Sequence, residues 1–301
     1  MKIVNFGSLN IDYVYSVEHF VQKGETISSD SLEVFSGGKG LNQSVAMGRA
    51  GIEVFHAGAV GADGESLLQL LRQAGVNTDW VAVSETARTG NAIIQRDRSG
   101  DNCIILYGGA NQSITAEQIT QTLAQFAAGD YVVLQNEING MKEIMQGSYQ
   151  RGLHIVLNPS PMNEKIAALP LELVDYFVLN EIEAKALLEL ESGVETSGEA
   201  MLCRLAERFP RAGIVLTLGA DGAFYRDKSE MLRQPAYIVP VQDTTAAGDT
   251  FTGYFMAGLR KGLPKAECMK VAAKAAAIAV SRPGAAPSIP TWEEVERFAA
   301  K

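Results

Sequence analysis

The feature that most limits what this chain can become is a rhythm. Short runs of β-branched and apolar residues alternate with stretches of helical periodicity along most of its 301 residues. The apolar runs fall at residues 2–7, 54–60, 131–134, 154–157, 176–179 and 213–218. Between them lie amphipathic stretches at 65–74, 116–127, 142–151, 182–190 and 198–209. Strands that alternate with helices form βαβ units. The pattern therefore predicts an α/β fold, a doubly wound and mostly parallel sheet with helices on both faces. Tyr131-Val-Val-Leu134 is apolar at every position, as a strand covered on both sides requires.

Two stretches break the rhythm. Residues 11–37 and 89–108 alternate in polarity without a helical period, and Arg98-Ser-Gly-Asp101 reads as a hairpin turn. Each flanks a Gly-rich segment. They fit a small β-sheet standing off the main body as a lid, or a pair of long surface loops. No repeat, linker or shift of composition divides the chain. The expectation is a single domain over 1–301 with lid strands inserted at about 12–36 and 88–109. Towards the C-terminus, Phe251, Phe255 and Leu259 recur at helical spacing, and residues 272–279 are nearly all alanine. Such small side chains suit a close helix neighbour or a flat ligand equally well.

Composition narrows the partners. Hydrophobic residues make up 47 % of the chain and charged residues 20 %, enough for a full core. The net charge of −9 argues against a nucleic-acid backbone as partner, since that needs clustered Lys and Arg. Nucleotides stay open, because backbone N–H groups hold phosphate without positive side chains. Cys103, Cys203 and Cys268 are widely spaced with no CxxC, against a disulfide framework or a structural zinc site. The first apolar run is too short for a signal peptide, and no run of about 18 apolar residues predicts a membrane span. The expected location is the cytoplasm.

The segment richest in chemistry is Asp243-Thr-Thr-Ala-Ala-Gly-Asp249. A turn of small residues runs into a helix near Ala247, where successive free N–H groups make an anion hole. Ala246, Ala247 and Gly248 leave room for a phosphate to come close. An acid inside such a hole either complements the helix dipole or takes a proton from an attacking hydroxyl. Asp249 alone fits both.

Ser36-Gly-Gly-Lys-Gly-Leu-Asn-Gln43 also leads into a helix, at 42–49. It is not a phosphate-binding P-loop, because Gly40 follows the Gly-Lys pair where Ser or Thr is required. Gly38 lets backbone approach a small polar ligand, and Lys39 and Asn42 can bond hydroxyls; a plain Gly-rich turn is the other reading. Gly7-Ser-Leu-Asn-Ile-Asp12 closes the first strand, at the rim where parallel sheets bind ligands. Asn10 and Asp12 suit sugar hydroxyls, or an Asx turn. Glu137, the Asn180-Glu-Ile-Glu183 run and Thr217-Leu-Gly219-Ala-Asp221-Gly222 follow other strands on the same rim. Carboxylates there suit hydrated Mg²⁺, and the glycines a nucleotide, although each alone is also an ordinary cap or turn.

Together these segments resemble the ribokinase (PfkB) family of carbohydrate kinases. Gly37-Gly-Lys-Gly-Leu-Asn-Gln43 and Asp243–Phe251 carry its two signatures, and the likeness runs from Gly7 to Pro290. Gly108-Gly-Ala-Asn111, Asn158-Pro-Ser-Pro161 and Arg282-Pro-Gly-Ala-Ala-Pro-Ser288 are similar to the ribokinase branch of that family. The resemblance implies ATP-dependent phosphorylation of a sugar, D-ribose at its 5-hydroxyl, with Asp249 as base and Ala246, Ala247 and Gly248 as anion hole. It implies Asn10, Asp12, Gly38, Lys39, Asn42 and Glu137 as the sugar site. It implies Asn180, Thr217, Gly219, Asp221, Gly222, Gly248 and Ala273 on the nucleotide. Glu183 would organise Mg²⁺ through water. Asp243, Thr245, Ala279, Arg282, Gly284 and Ser288 would surround an activating K⁺. The family's lid pairs into a homodimer.

Three positions depart from the family pattern. Ala246 replaces the commoner Gly of the anion hole, Ser44 follows Gln43 where Ala is usual, and Pro283 sits in the proposed K⁺ loop. Other acceptors within the family are fructose, a ketodeoxy sugar acid, a sugar phosphate or a nucleoside. An acidic acceptor would need a further cation, for which Arg88, Arg96 and Arg98 are candidates. A sugar sensor without catalysis would be expected to lose Asp249, Gly248 or Asn180, and all three are present. A dinucleotide oxidoreductase would need G-x-G-x-x-G after the first strand, and none follows it.

Overall fold

The computed structural model describes residues 1–190 and 196–299. In chain order the strands are β1 (Ile3–Phe6), β2 (Asn10–Ser16), β3 (Ser31–Gly37), β4 (Val54–Gly61), β5 (Asn77–Ser84), β6 (Gly90–Arg96), β7 (Asn102–Tyr107), β8 (Tyr131–Gln135), β9 (His154–Asn158), β10 (Tyr176–Asn180), β11 (Gly213–Thr217), β12 (Ala223–Arg226) and β13 (Met231–Gln234). The helices are α1 (Lys39–Arg49), α2 (Glu65–Gln73), α3 (Ala116–Leu123), α4 (Met141–Gln150), α5 (Glu181–Leu187), α6 (Gly198–Arg208), α7 (Ala247–Arg260), α8 (Lys265–Val280) and α9 (Trp292–Arg297).

The predicted parallel sheet is present. Nine strands run in the order β13-β12-β11-β10-β9-β8-β1-β4-β5, parallel from β11 through to β5. Successive strand residues point to opposite faces, and each face has its own core. Ile3 and Val133 pack with Val45, Phe255 and Ala272 from the side of α1, α7 and α8. Val4, Val132 and Leu134 pack with Ile119, Ile144 and Leu205 from the side of α3, α4 and α6.

The structure adds what the pattern did not predict. β5 is a parallel edge strand whose residues are at most half-buried, so its sequence Asn-Thr-Asp-Trp-Val-Ala-Val-Ser carries no clean period. β12 and β13 close the other edge as an antiparallel ribbon. The helix expected over 116–127 stops at Leu123. Gln125 and Phe126 make three-residue turn bonds instead, and the Asp130 carboxylate accepts from the Ala127 N–H before β8 begins.

The two irregular stretches form a second sheet of four strands, ordered β3-β2-β6-β7. Arg98–Asp101 lies in the connection between β6 and β7, as the hairpin signal predicts. This sheet is fastened to the large one at two Gly-rich joints. Gly7 and Ser8 connect β1 to β2, and Gly38 connects β3 to α1. Leu32, Val34, Ile93, Ile104, Ile105, Leu106 and Tyr107 leave much of its surface apolar and exposed.

Candidate functional site

α7 opens without a cap. Ala246, the residue before it, has φ 59°, in the left-handed region, and no side chain bonds the first N–H groups. Ala247 N–H reaches Thr244 O at 3.3 Å, and Thr250 N–H reaches Ala246 O at 2.8 Å. The N–H groups of Gly248 and Asp249, between them, have no acceptor among the described residues. A Cβ built on Gly248 would meet no atom within 4 Å. Two free donors thus face open space at a helix start, an arrangement that attracts anions.

Asp249 stands inside this turn and is 7 % exposed. Its Oδ2 accepts from Asn42 Nδ2 at 3.1 Å and its Oδ1 from Gln43 Nε2 at 3.0 Å. Both donors lie on α1, which packs directly on α7. A side chain at Gly253 would collide with Ala46, so this glycine sets how closely the helices lie.

α1 starts differently. Gly38 has φ 97°, and a Cβ there would sit 2.9 Å from Ser8 O. Lys39 N–H donates to Glu137 Oε2 at 2.9 Å, Gly40 N–H to Ser8 Oγ at 3.3 Å, and Ser8 Oγ in turn donates to Glu137. Burial raises the Glu137 carboxyl above the usual range. Burial first, and then the charge of Glu137, pushes Asp12 up to about 6. Burial alone would lower the Lys39 ammonium, but the carboxylates of Asp249, Glu137 and Glu183 outweigh it and hold its pKa above the usual value. Asn10 is buried and accepts from Asn111 Nδ2 at 2.7 Å, and Asn111 also clamps the backbone of Leu9. Gly37 lies against the Asp12 carboxylate where no side chain would fit. Glu137 thus bonds the Lys39 backbone and Asn42 bonds Asp249, while Asn10 is held by Asn111.

Two cavities meet at the start of α7. One of about 210 Å³ is polar and is lined by Lys39, Asn158, Asn180, Glu183, Thr217 and Ala246 through Asp249. Asn180 and Glu183 form a reciprocal capping box on α5, so the ordinary cap read from their spacing is real, and both still face the cavity. The other, about 490 Å³, is largely apolar. Thr217, Gly219, Gly222, Gly248 and Ala273 line it, with Ala276, Ala277 and Val280 of α8 and Tyr237 and Ile238 opposite. The alanine-rich stretch therefore lines a cavity as well as packing a helix. Asp221 is exposed and lines neither cavity.

The fit of these residues to cations follows from their oxygens. Asp243 accepts from Thr245 N–H at 2.8 Å and from Gly284 N–H at 2.9 Å, which ties the loop before α7 to the loop after α8. Burial would raise its pKa, but these bonds outweigh it and hold the carboxyl below the usual range. Arg282 turns its guanidinium to Glu294 at 2.6 Å and Ser288 Oγ bonds Ala285 O, so this corner offers carboxylate and carbonyl oxygens, a hard set suited to an alkali cation. Ala279 O accepts from Arg282 N–H. Among the described residues no three His, Cys, Asp or Glu side chains converge. Mg²⁺ beside Glu183 would therefore keep most of its water, as that ion prefers.

Gln43, Asn111 and Asn158 were not singled out by residue-level reasoning. They sit inside the quoted motifs, but short spacing within a motif does not show that an amide reaches a carboxylate more than 200 residues away.

Comparisons with known proteins bear on the family and the fold. The description pfkB family carbohydrate kinase matches residues 1–292. Ribokinase of Haemophilus influenzae is 36 % identical over 97 % of this chain and 96 % of its own. The crystal structure of ribokinase from Cryptococcus neoformans in complex with ADP superposes with a TM-score of 0.89 at 34 % identity, covering 98 % of both chains. Arabidopsis thaliana ribokinase complexed with ribose and ATP gives 0.85 at 26 % identity, covering 99 % of both.

Proposed function

This chain belongs to the pfkB family of carbohydrate kinases, and we propose that it transfers the γ-phosphate of ATP to D-ribose at the 5-hydroxyl, giving ribose 5-phosphate. The observation that carries the reading is the uncapped start of α7, where two free N–H groups and the Asp249 carboxylate meet at the junction of two cavities. The relatives named ribokinase, and the neighbour solved with ribose and ATP, support ribose over the other acceptors.

On this reading the roles divide by place. The apolar cavity takes the adenine and ribose of ATP between the α8 alanines and residues 236–241, with Thr217, Gly219, Gly222 and Ala273 along it. Asp221, exposed, serves at most at the rim. The polar cavity takes the phosphates beside Asn180 and Lys39. Asn10, Asp12, Gly38, Lys39, Asn42 and Glu137 hold the sugar hydroxyls. Asp249 accepts the proton of the attacking hydroxyl as it adds to the γ-phosphorus. The free N–H groups of Gly248 and Asp249, in the turn that Ala246 and Ala247 open, stabilise the charge that develops on the transferring group. Glu183 would hold Mg²⁺ through water, and the ion would neutralise phosphate charge. Asp243, Thr245, Ala279, Arg282, Gly284 and Ser288 would surround a K⁺, which would supply positive charge beside the start of α7.

The whole chain acts as one kinase domain, and the four-stranded sheet is its lid. Its exposed apolar residues suit a second copy of the chain, giving a homodimer through the lid. Among the described residues no helix is long and apolar enough to cross a membrane. We place the enzyme in the cytoplasm, with no nucleic-acid partner.

The test is ADP release over a panel of ribose, fructose, a ketodeoxy sugar acid, a sugar phosphate and nucleosides, each with and without K⁺. Ribose should give the highest kcat/KM and K⁺ should raise it. Higher kcat/KM with another acceptor would replace ribose in this reading.

A further inference from the structure

Behind Asp249 lies a line of buried polar side chains that substrate does not reach. Asn5, Gln43, Ser44 and His56 are 0 % exposed and Gln135 is 1 % exposed. They come from three neighbouring strands, β4, β1 and β8, and from α1. Such groups are costly to bury unless they are hydrogen-bonded.

The direction of each bond follows from chemistry. His56 Nε2 lies 3.2 Å from Gly7 O, and a carbonyl only accepts, so Nε2 carries the hydrogen. Burial lowers the imidazolium pKa to about 4, so His56 is neutral and its Nδ1 accepts from Ser44 Oγ at 2.8 Å. Ser44 Oγ accepts from Asn5 Nδ2 at 2.8 Å, and the same amide gives its other hydrogen to Gly40 O. Asn5 Oδ1 accepts from Gln135 Nε2 at 2.9 Å, and Gln135 Nε2 also donates to Gln43 Oε1 at 2.7 Å. Gln43 is left with its amide hydrogens for Asp249 Oδ1 and Asn158 Oδ1. Turning the Gln135 amide over would set oxygen against oxygen on both sides. The Gln135 Oε1 itself stays buried without a partner, so the arrangement retains an unsatisfied atom and keeps both donors aimed.

We propose that Ser44 and His56 anchor a relay through Asn5, Gln135 and Gln43, in which Gln135 donates to both sides, and that this relay fixes the orientation of the Asp249 carboxylate. Gln43, Gln135, Asn5, Ser44 and His56 are then positioning residues. Ser44, the departure from the alanine usual at this place, supplies the hydroxyl that links His56 to Asn5. The inference rests on Asp249 as the proton acceptor. A carboxylate free to rotate binds substrates as before but meets the attacking hydroxyl in fewer productive geometries, so the effect belongs in kcat.

The experiment compares Gln135→Met, Ser44→Ala and Asp249→Asn with the wild type, using the panel sugar of highest wild-type turnover. Gln135→Met should lower kcat on the order of tenfold and Ser44→Ala about threefold, with KM for sugar and ATP within about twofold. In a Gln43→Met background, Gln135→Met should cost less than about a further twofold, because the relay is already cut. Unchanged kcat in folded Gln135→Met, or a full second loss in the Gln43→Met background, overturns the relay. If Gln135→Met does not fold, Ser44→Ala, which removes one oxygen, decides by the same criteria. Wild-type turnover in Asp249→Asn would overturn the reading of the site and the relay with it. Lost turnover there beside unaffected relay variants would overturn the relay alone.

Discussion

The two helix starts that face each other across the site have the same outline and opposite uses. α1 and α7 both begin after a residue of positive φ, Gly38 at φ 97° and Ala246 at φ 59°, and neither of these residues has a side chain that caps its helix. At α1 the protein uses the free donors itself, through Glu137 and Ser8. At α7 the donors of Gly248 and Asp249 are left open. The glycines divide in the same way. Gly40 is glycine because Gly7 and Ser8 press against it, whereas Gly248 has empty space where a side chain would go. Gly-rich sequence before a helix therefore does not by itself mark a phosphate site. What marks it is the absence of any protein group on the donors.

The largest effect should fall on the open start. Asp249→Asn keeps the shape and can accept from only one of the two α1 amides, and it cannot take a proton, so kcat should drop by about 10²–10⁴ while the protein stays folded. The sharper test places one substitution at both starts. Gly248→Ala should fold normally and lose about tenfold to a hundredfold in kcat, because the new methyl group occupies the anion's space. Gly40→Ala should instead lose about 2 kcal/mol or more of stability, seen as a lower Tm, because Gly7 and Ser8 have nowhere to go. Stability loss at Gly248 with intact Gly40→Ala would reverse the assignment of the two starts.

The closed start carries a pH signature. Asp12, raised to about 6, would accept hydroxyls of a bound sugar best when ionised. Because its pKa is raised, acid converts it to the weaker acceptor: KM for the sugar should rise about fourfold between pH 7.5 and 5.5. Asp12→Asn should flatten that profile, and an unchanged slope would remove Asp12 from sugar binding. The smallest effect concerns Ala246. Glycine suits φ 59° without the Cβ penalty, so Ala246→Gly should add about 0.5–1 kcal/mol, read as a higher Tm, with activity kept within about twofold. A lower Tm would mean that the turn is not strained.

How much of this was legible in the sequence varies with the distance between partners. The parallel sheet follows from strands such as Tyr131-Val-Val-Leu134, whose burial on both faces is written in four adjacent residues. The four-stranded sheet follows from alternation and one hairpin turn. Asp249 stood out because its neighbours are small and local. β5 did not, because an edge strand that is half-exposed has no clean period. The antiparallel ribbon β12–β13, two strands of four residues, is too short to announce itself. The relay behind Asp249 joins Asn5, Gln43, His56 and Gln135, and only the stacking of β8, β1 and β4 under α1 brings them together. The same holds for the apolar cavity, where residues 236–241 carry no motif and only the fold sets them opposite α8.

The most direct test of the open helix start is a structure of the chain with ribose, ADP and a metal-fluoride mimic of the transferring phosphoryl group. The account predicts fluorines about 3 Å from the N–H groups of Gly248 and Asp249, with the ribose 5-hydroxyl against the Asp249 carboxylate. A mimic seated instead on the N–H groups of Lys39 and Gly40, or another ribose hydroxyl against Asp249, would contradict it.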